Sequence, residues 1–90
     1  MIVLVDVIEV RALDARRLWL RFSDGTEGEH DFSAILDQDG PMVQPLKDPE
    51  MFKRVFVSFG VPSWPNGFDV DAIQLHREMA EQGRLRRSAA

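Results

Sequence analysis

Residues 16–32 read RRLWLRFSDGTEGEHDF, and the way this stretch pairs with itself decides the fold. Its two halves alternate apolar and polar residues around Ser23-Asp24-Gly25, which is the pattern of a β-hairpin. A two-residue loop would place three acidic side chains on the apolar face. A three-residue loop, with Gly25 left-handed in a G1 bulge, places Arg21 opposite Glu27 instead. We predict this second register, because a slip of one residue turns a whole strand over.

Strands are also predicted on both sides of the hairpin. Residues 2–10 are rich in β-branched side chains and lack Gly and Pro, which predicts a first strand. Residues 54–59 are mostly apolar and predict a later strand, which Gly60 ends. Between the hairpin and that strand we expect two short helical turns, one capped by Ser33 and one by Asp48.

A C-terminal helix is the last predicted element. Asp71 is a good N-cap, and Gln74 three residues later completes a capping-box pattern. Gly83 is expected to end the helix, which gives it the range 72–82. The sequence therefore predicts an α+β fold: a small antiparallel β-meander with a short helical middle segment and a C-terminal helix packed on one face.

Chain length and local charge set the expected domain organisation. The 90 residues have a mass of 10.3 kDa, which fits one small domain, and we assign residues 1–83 to it. The segment after Gly83 contains three arginines and no acid. Residues 84–90 are therefore predicted to form a basic, disordered tail. Its arginines are Arg84, Arg86 and Arg87.

Composition excludes or disfavours several classes of protein. The absence of cysteine excludes a disulfide scaffold and thiol chemistry. The formal net charge of -4 disfavours nucleic acid as a partner, apart from weak binding through the arginines of the tail. No apolar run reaches the ~20 residues of a membrane helix, so no membrane association is expected. The first residues lack the basic segment of a signal peptide, which leads us to expect a cytoplasmic protein.

Few residues have the spacing that catalysis requires. The two histidines, His30 and His76, belong to no metal-ligand motif, and no serine lies in a nucleophile motif. Most of the acidic residues fall on predicted turns, caps or the polar face of the hairpin. The sequence therefore predicts no catalytic residue, no metal and no cofactor, and a protein that is not an enzyme.

The most unusual segment of the chain is SWPNGFD, residues 63–69. It is either a structural turn in which Trp64 and Phe68 cover the core, or an aromatic binding patch, since tryptophan is enriched at interface hot spots. Trp19, on the polar face of the hairpin, presents the same alternatives. The candidate binding patch consists of Trp64, Pro65, Asn66, Gly67, Asp69 and Trp19.

The first strand is a second candidate for contact with a partner. An antiparallel sheet has two edges, each with unpaired backbone groups. The strand over residues 2–10 is apolar apart from Asp6 and Glu9, so it lacks most of the charge that protects an edge. We expect a homodimer or a heteromeric protein complex through this edge, with Trp19 or Trp64 at the contact.

The order of four segments resembles a bacterial family called domain of unknown function 2442. The resemblance covers about residues 5–78, and its most specific part is the WPNG-x-D segment. This chain departs from the usual pattern at His76, where the family has a tyrosine. The four segments are Phe22-Ser23-Asp24-Gly25-Thr26, Asp31-Phe32, Leu46-Lys47-Asp48-Pro49-Glu50-Met51-Phe52 and Trp64-Pro65-Asn66-Gly67-Phe68-Asp69.

The resemblance implies a small α+β domain without established catalytic residues. It also implies a gene next to that of another small protein, the setting in which an antitoxin-like role has been suggested for the family. We therefore expect a non-catalytic protein-binding module, the antitoxin-like half of a small two-protein bacterial system. The alternatives are a small-ligand-binding regulatory domain, with its pocket beside Asn66 and Asp69, and a weak nucleic-acid binder.

Overall fold

Two antiparallel sheets and a few short helices make up residues 4–88, the part of the chain that the computed structural model describes. The larger sheet has the strand order β1-β2-β3-β6, and β4 pairs with β5 in the smaller one. The predicted α+β class and antiparallel sheet are confirmed. The strands are β1 (Val7–Ala12), β2 (Arg17–Phe22), β3 (Thr26–Asp31), β4 (Phe56–Ser58), β5 (Val61–Ser63) and β6 (Arg86–Arg87). The helices are α1 (Ser33–Leu36), a 3-10 turn (Gln44–Lys47), α2 (Pro49–Phe52) and α3 (Ala72–Glu81).

The β2–β3 hairpin has the predicted register. Arg21 lies opposite Glu27, and Gly25 has a φ of +86°. The amide of Gly25 donates to the carbonyl oxygen of Phe22 at 3.1 Å and closes the turn. This register directs the leucines of β2 into the core and the charged residues of both strands to the outer face.

The first strand begins later than predicted. The prediction of a strand over residues 2–10 is wrong at both ends, because the strand is Val7–Ala12; residues 2 and 3 lie outside the described part. Its end is set by the partner strand, where Ala12 lies opposite Leu18. Its register shifts between Val7 and Glu9, a β-bulge that the sequence analysis did not predict.

The later strand is a hairpin. Residues 54–59 were expected to form one strand, but the structure has β4 and β5 joined by a turn at Phe59 and Gly60. Gly60 therefore lies inside the hairpin and does not end the element. Pro62 lies within β5 opposite Val57, and proline is tolerated there because a two-stranded sheet consists of edge strands.

Of the two caps predicted for the short helices, the one at Ser33 is wrong and the one at Asp48 is confirmed. Ser33 was expected to cap α1, but it is the first helical residue, and its amide donates to the side chain of Asp31 at 2.8 Å. An aspartate carboxylate readily accepts a hydrogen bond from the amide two residues later. Asp31 therefore takes the role that was expected of Ser33. The predicted cap at Asp48 is confirmed, since its carboxylate accepts from the amide of Glu50 at 3.1 Å.

Helix α3 begins at the predicted residue and ends one residue earlier than predicted, over Ala72–Glu81. The carboxylate of Asp71 accepts from the amides of Ile73 and Gln74, each at 3.3 Å. The reciprocal half of the capping box is not formed, because the side-chain amide of Gln74 donates to Glu78 at 3.0 Å.

The chain turns back onto the sheet after α3. Gly83, with a φ of +69°, donates to Ala80 O at 3.1 Å, and Arg84 donates to Met79 O at 2.8 Å. These two bonds form a Schellman motif. The returning segment pairs with β3 as β6, so the prediction of a disordered tail is wrong for residues 84–88; residues 89 and 90 lie outside the described part.

The main core lies between the inner face of the larger sheet and the elements that follow it. The sheet contributes apolar side chains from β1 and β2, and α3 contributes an apolar stripe. The interlocked aromatic rings of Phe32, Phe52 and Trp64 occupy its centre, with ring centroids 5.8 to 6.3 Å apart. The buried cluster is Val5, Val7, Leu18, Leu20, Phe22, Phe32, Leu36, Leu46, Phe52, Trp64, Ala72, Leu75 and Met79.

The return of the chain across β3 depends on Gly28. A Cβ at Gly28 would collide with the backbone carbonyl of Arg84. We expect Gly28→Ala to lower the free energy of unfolding by about 1–3 kcal/mol, the usual cost of overpacking. In a domain of this size that corresponds to a fall in Tm of about 4–8 °C per kcal/mol. Glu29→Ala, on the exposed face of the same strand, serves as the control, and an unchanged Tm for Gly28→Ala would contradict the packing.

Candidate functional site

The indole of Trp64 lies in the core, with 1% of its surface exposed. Its Nε1 donates to the carbonyl oxygen of Phe52 at 2.9 Å, which gives the free end of α2 a partner. Its ring packs against Phe32, Phe52 and Phe68. This ring has no exposed face for a partner, so of the two interpretations the structural turn is the one that accounts for Trp64.

The turn that follows Trp64 is held by its own polar groups. The amide of Gly67 donates to Trp64 O at 2.9 Å. The side chain of Asn66 donates to Met42 O at 2.9 Å and accepts from Phe68 N at 3.3 Å. Both ends of the Asn66 amide are thus used within the chain, which is what a structural turn requires. The exposed residues of the patch are Pro65, Gly67 and Asp69.

Trp19 is half-buried on the outer face of the larger sheet. Its Nε1 donates to Glu27 Oε2 at 3.0 Å, and the guanidinium groups of Arg11 and Arg21 lie 5.2 and 5.4 Å from its ring centroid. The ring is therefore engaged within the chain by cation–π contacts. Since Trp64 lies in the core below the opposite face, the structure does not bring the two tryptophans into one patch.

Both histidines connect α3 to the sheet. His76 Nε2 lies 2.9 Å from Asp24 Oδ2 in the hairpin turn, and the imidazole stacks edge-on against Phe22. His30 is buried on β3, with its Nε2 3.8 Å from Glu78 Oε2. Burial lowers the pKa of His30 below its ordinary value. These positions account for both residues as parts of the helix–sheet interface.

Within residues 4–88, no group of three His, Cys, Asp or Glu side chains is placed to hold a metal ion. Over the same range, no helix has the length and apolar content needed to cross a membrane.

Two arginines of the C-terminal segment are engaged with the sheet. Arg86 Nη2 lies 3.4 Å from Glu27 Oε2, and Arg87 Nη1 donates to the carbonyl oxygen of Asp24 at 3.3 Å. Two of the three arginines on which the alternative of weak nucleic-acid binding rests thus face acceptors of this chain.

An apolar surface around β1 extends beyond the strand edge that was predicted as a contact. Among the described residues, six large apolar side chains are exposed, and five of them belong to β1, to its flanks or to the β4–β5 hairpin that contacts it. We call these five side chains the β1 surface. They are Leu4 (81% exposed), Ile8 (55%), Leu13 (44%), Phe56 (44%) and Phe59 (102%).

Phe59 occupies a conformation that its side chain disfavours. Its φ is +50°, and the next residue, Gly60, has a φ of +77°. Positive φ at both central residues defines a type I′ turn, in which Asn-Gly is the preferred pair. In the sequence, Gly60 indicates a turn at this position, whereas Phe59 does not. The chain thus holds a fully exposed aromatic ring at a hairpin tip, at a cost in backbone energy.

The two edges of the larger sheet differ sharply. The β6 edge consists of two residues, Arg86 and Arg87, and a short charged strand protects an edge from further pairing. The β1 edge is six residues long, and the hairpin tip covers its start through a bond of 2.8 Å from Val7 N to Gly60 O. The described sheet is therefore protected where β6 pairs with Thr26 and Glu27, whereas β1 is open beyond Val7 and residues 28–31 of β3 have no strand on the side away from β2.

Comparisons with known proteins give a family and no further relative. The model of the family described as "Protein of unknown function (DUF2442)" matches residues 7–80. This match confirms the resemblance found in the sequence. Comparisons with curated proteins and with solved structures returned no match.

The buried His30 predicts a loss of stability in acid. Because burial lowers its pKa in the folded state, the unfolded chain binds the proton more tightly. The free energy of unfolding should therefore fall as the pH drops through about 6.5, the ordinary value for histidine. We expect His30→Leu to flatten this dependence in urea titrations between about pH 7.5 and about pH 5.5. His76→Gln is the control, and a His30→Leu variant with the full wild-type slope would contradict the assignment.

The strained turn predicts a stabilising substitution. Asparagine tolerates positive φ better than phenylalanine, and the fully exposed ring of Phe59 loses no packing on removal. We expect Phe59→Asn to raise the free energy of unfolding by about 1 kcal/mol. Phe59→Ala, which removes the ring but keeps the strained backbone, should change stability much less. Equal stabilities of the two variants in chemical denaturation would show that the turn stores no strain.

Proposed function

The chain belongs to the DUF2442 family of proteins of unknown function, and we propose that it is a non-catalytic protein-binding module. The β1 surface supports this function, since a protein partner is what would cover it. In our proposal the open β1 edge and the ring of Phe59 bind the partner and block its surface. The partner that the family resemblance suggests is the product of a neighbouring gene, in an antitoxin-like arrangement.

The distribution of exposed apolar side chains along β1 and the hairpin beside it carries the proposal. Single exposed apolar residues are ordinary on protein surfaces, but a group of them beside an open strand marks an interaction site. Five of the six such side chains in the described residues belong to the β1 surface, and Met42 is the sixth. The segment around Trp64, by contrast, buries its aromatic ring and uses its polar groups internally.

Phe59 supports a protein partner in particular. Aromatic side chains dominate the energy of protein interfaces when they enter a pocket of the partner. In the free chain the ring of Phe59 makes almost no contact, since it is fully exposed, and its backbone is strained. Because Phe59 adds no packing to the fold and its backbone strain lowers stability, we assign its ring to a contact with another molecule.

The backbone of β1 offers the second component of binding. A strand that joins the open edge gains main-chain hydrogen bonds, and flanking side chains give the pairing its specificity. The side chains of Ile8 and Leu13 are exposed beside that edge. Edge pairing with an apolar border is therefore the binding mode that we propose.

The proposal predicts that one substitution separates stability from binding. The purified chain is measured for mass alone and after mixing with the product of the adjacent open reading frame. We expect a complex in at least one of these two samples, and we expect Phe59→Asn to weaken it about tenfold or more, as loss of an aromatic hot spot does. The same variant is expected to be more stable than the wild type, so unfolding cannot explain the loss.

Met42→Gln is the matched control, because Met42 is exposed outside the β1 surface. It should leave the complex unchanged. A chain that stays monomeric in both samples, at every concentration, would overturn the proposed function. A complex that Met42→Gln weakens as much as Phe59→Asn would show that the β1 surface is not its site.

A further inference from the structure

We propose that the chain forms a symmetric dimer through the β1 edge. In this dimer the β1 strands of the two copies pair antiparallel around a two-fold axis at Val10. This inference rests on the proposed function, and it names the partner of that surface. It follows from which backbone groups are free, from the charges beside them and from the apolar residues around them.

The free backbone groups belong to alternate residues of β1. Leu13 N donates to Arg17 O at 2.9 Å, so Leu13 directs its backbone toward β2. In an antiparallel pair the hydrogen-bonded positions alternate, so Arg11 does the same, while Val10 and Ala12 direct their amides and carbonyls outward. Neither Val10 nor Ala12 has a further backbone partner within residues 4–88.

Burial along β1 shows where the edge is open. Val7 is 1% exposed beneath the β4–β5 hairpin, whereas Val10 and Ala12 are only half-buried although they belong to the inner face. Their partners on β2, Leu20 and Leu18, are completely buried. The exposure of Val10 and Ala12 therefore comes from the edge side, where the hairpin does not cover them.

Charge selects the register of the pairing. With the axis at Val10, the two copies of Val10 form a hydrogen-bonded pair, and Glu9 of each copy lies directly opposite Arg11 of the other. Glu9 and Arg11 would form non-hydrogen-bonded pairs, in which side chains approach most closely. Within one copy, Glu9 lies 2.9 Å from Arg11 Nη2 and 3.5 Å from Arg21 Nη1, so the dimer brings the ion pairs of the two copies together.

The neighbouring registers lack this match. Moving the axis to Arg11 places the two Arg11 side chains opposite each other, which is unfavourable for like charges. Moving it to Ala12 places Arg11 opposite Leu13 and Glu9 opposite Ala15, so neither charge faces an opposite charge of the other copy. The Val10 register is thus the one that pairs each charge of β1 with an opposite charge.

The same register covers apolar side chains of the β1 surface. Beyond the Glu9–Arg11 pairs, Leu13 of one copy extends toward the hairpin tip of the other, where Gly60 O accepts from Val7 N. Phe59 is the residue next to Gly60, so the exposed Leu13 of one copy is brought toward the exposed Phe59 of the other. Both contacts occur twice, because the two-fold axis repeats them.

A charge-exchange experiment tests the dimer and its register. Mass is measured by light scattering over a range of protein concentrations, with circular dichroism to verify folding. The wild type should dimerise, and Glu9→Arg and Arg11→Glu should each weaken the dimer about tenfold or more, because both symmetric contacts become repulsive. An equimolar mixture of the two variants should recover a heterodimer, in which every arginine again faces a glutamate.

The matched controls are Arg17→Glu and Glu29→Arg, two residues of similar exposure on the same outer face, which belong to β2 and β3 and not to the edge strand. They should leave the dimer intact. A wild type that remains monomeric would overturn the second copy as partner. The proposed function would then be decided by binding of the adjacent gene product and its sensitivity to Phe59→Asn. A wild-type dimer whose two charge variants fail to recover on mixing would overturn the Val10 register.

Discussion

The left-handed turn at Gly25 is the constraint on which the rest of this structure depends. With φ at +86°, Gly25 fixes a three-residue loop and therefore the register of β2 against β3. That register decides which face of each strand is apolar. A slip of one residue would place Glu27 opposite Phe22 and on the inner face. It would also move Gly28 away from the place where the chain recrosses the sheet, and the C-terminal segment would lose its path.

The elements that the sequence predicted are those with local causes. The hairpin follows from a turn tripeptide between alternating strands, and the caps at Asp48 and Asp71 follow from one carboxylate within reach of amides two or three residues on. The end of α3 follows from Gly83, which has the positive φ of a Schellman motif. In each case the residues that determine the conformation are neighbours in the chain, so composition and spacing were sufficient.

The errors arose where the cause lies far away in the chain or contradicts local preference. The docking of residues 84–88 depends on the missing side chain of Gly28, more than fifty residues earlier. The sequence left Trp64 open between a structural and a binding role, because its acceptor, the carbonyl oxygen of Phe52, is one that no spacing rule identifies. The β4–β5 turn was missed because a phenylalanine occupies a position that favours asparagine, so the sequence pattern resembled one continuous strand.

The sequence could not separate the aromatic residues that hold the fold from the one we assign to binding. Trp64 belongs to the most distinctive segment of the chain, yet its indole has a ring-packed site and a hydrogen-bond acceptor, so burial satisfies it completely. Phe59 belongs to an ordinary apolar run, yet it violates the conformational preference of its turn and packs against nothing. Agreement between local preference and packing marks a residue whose role is structural. A residue that breaks both rules without compensation inside the chain points to an interaction outside it, which is why the candidate site lies at β1 and not at the tryptophan turn.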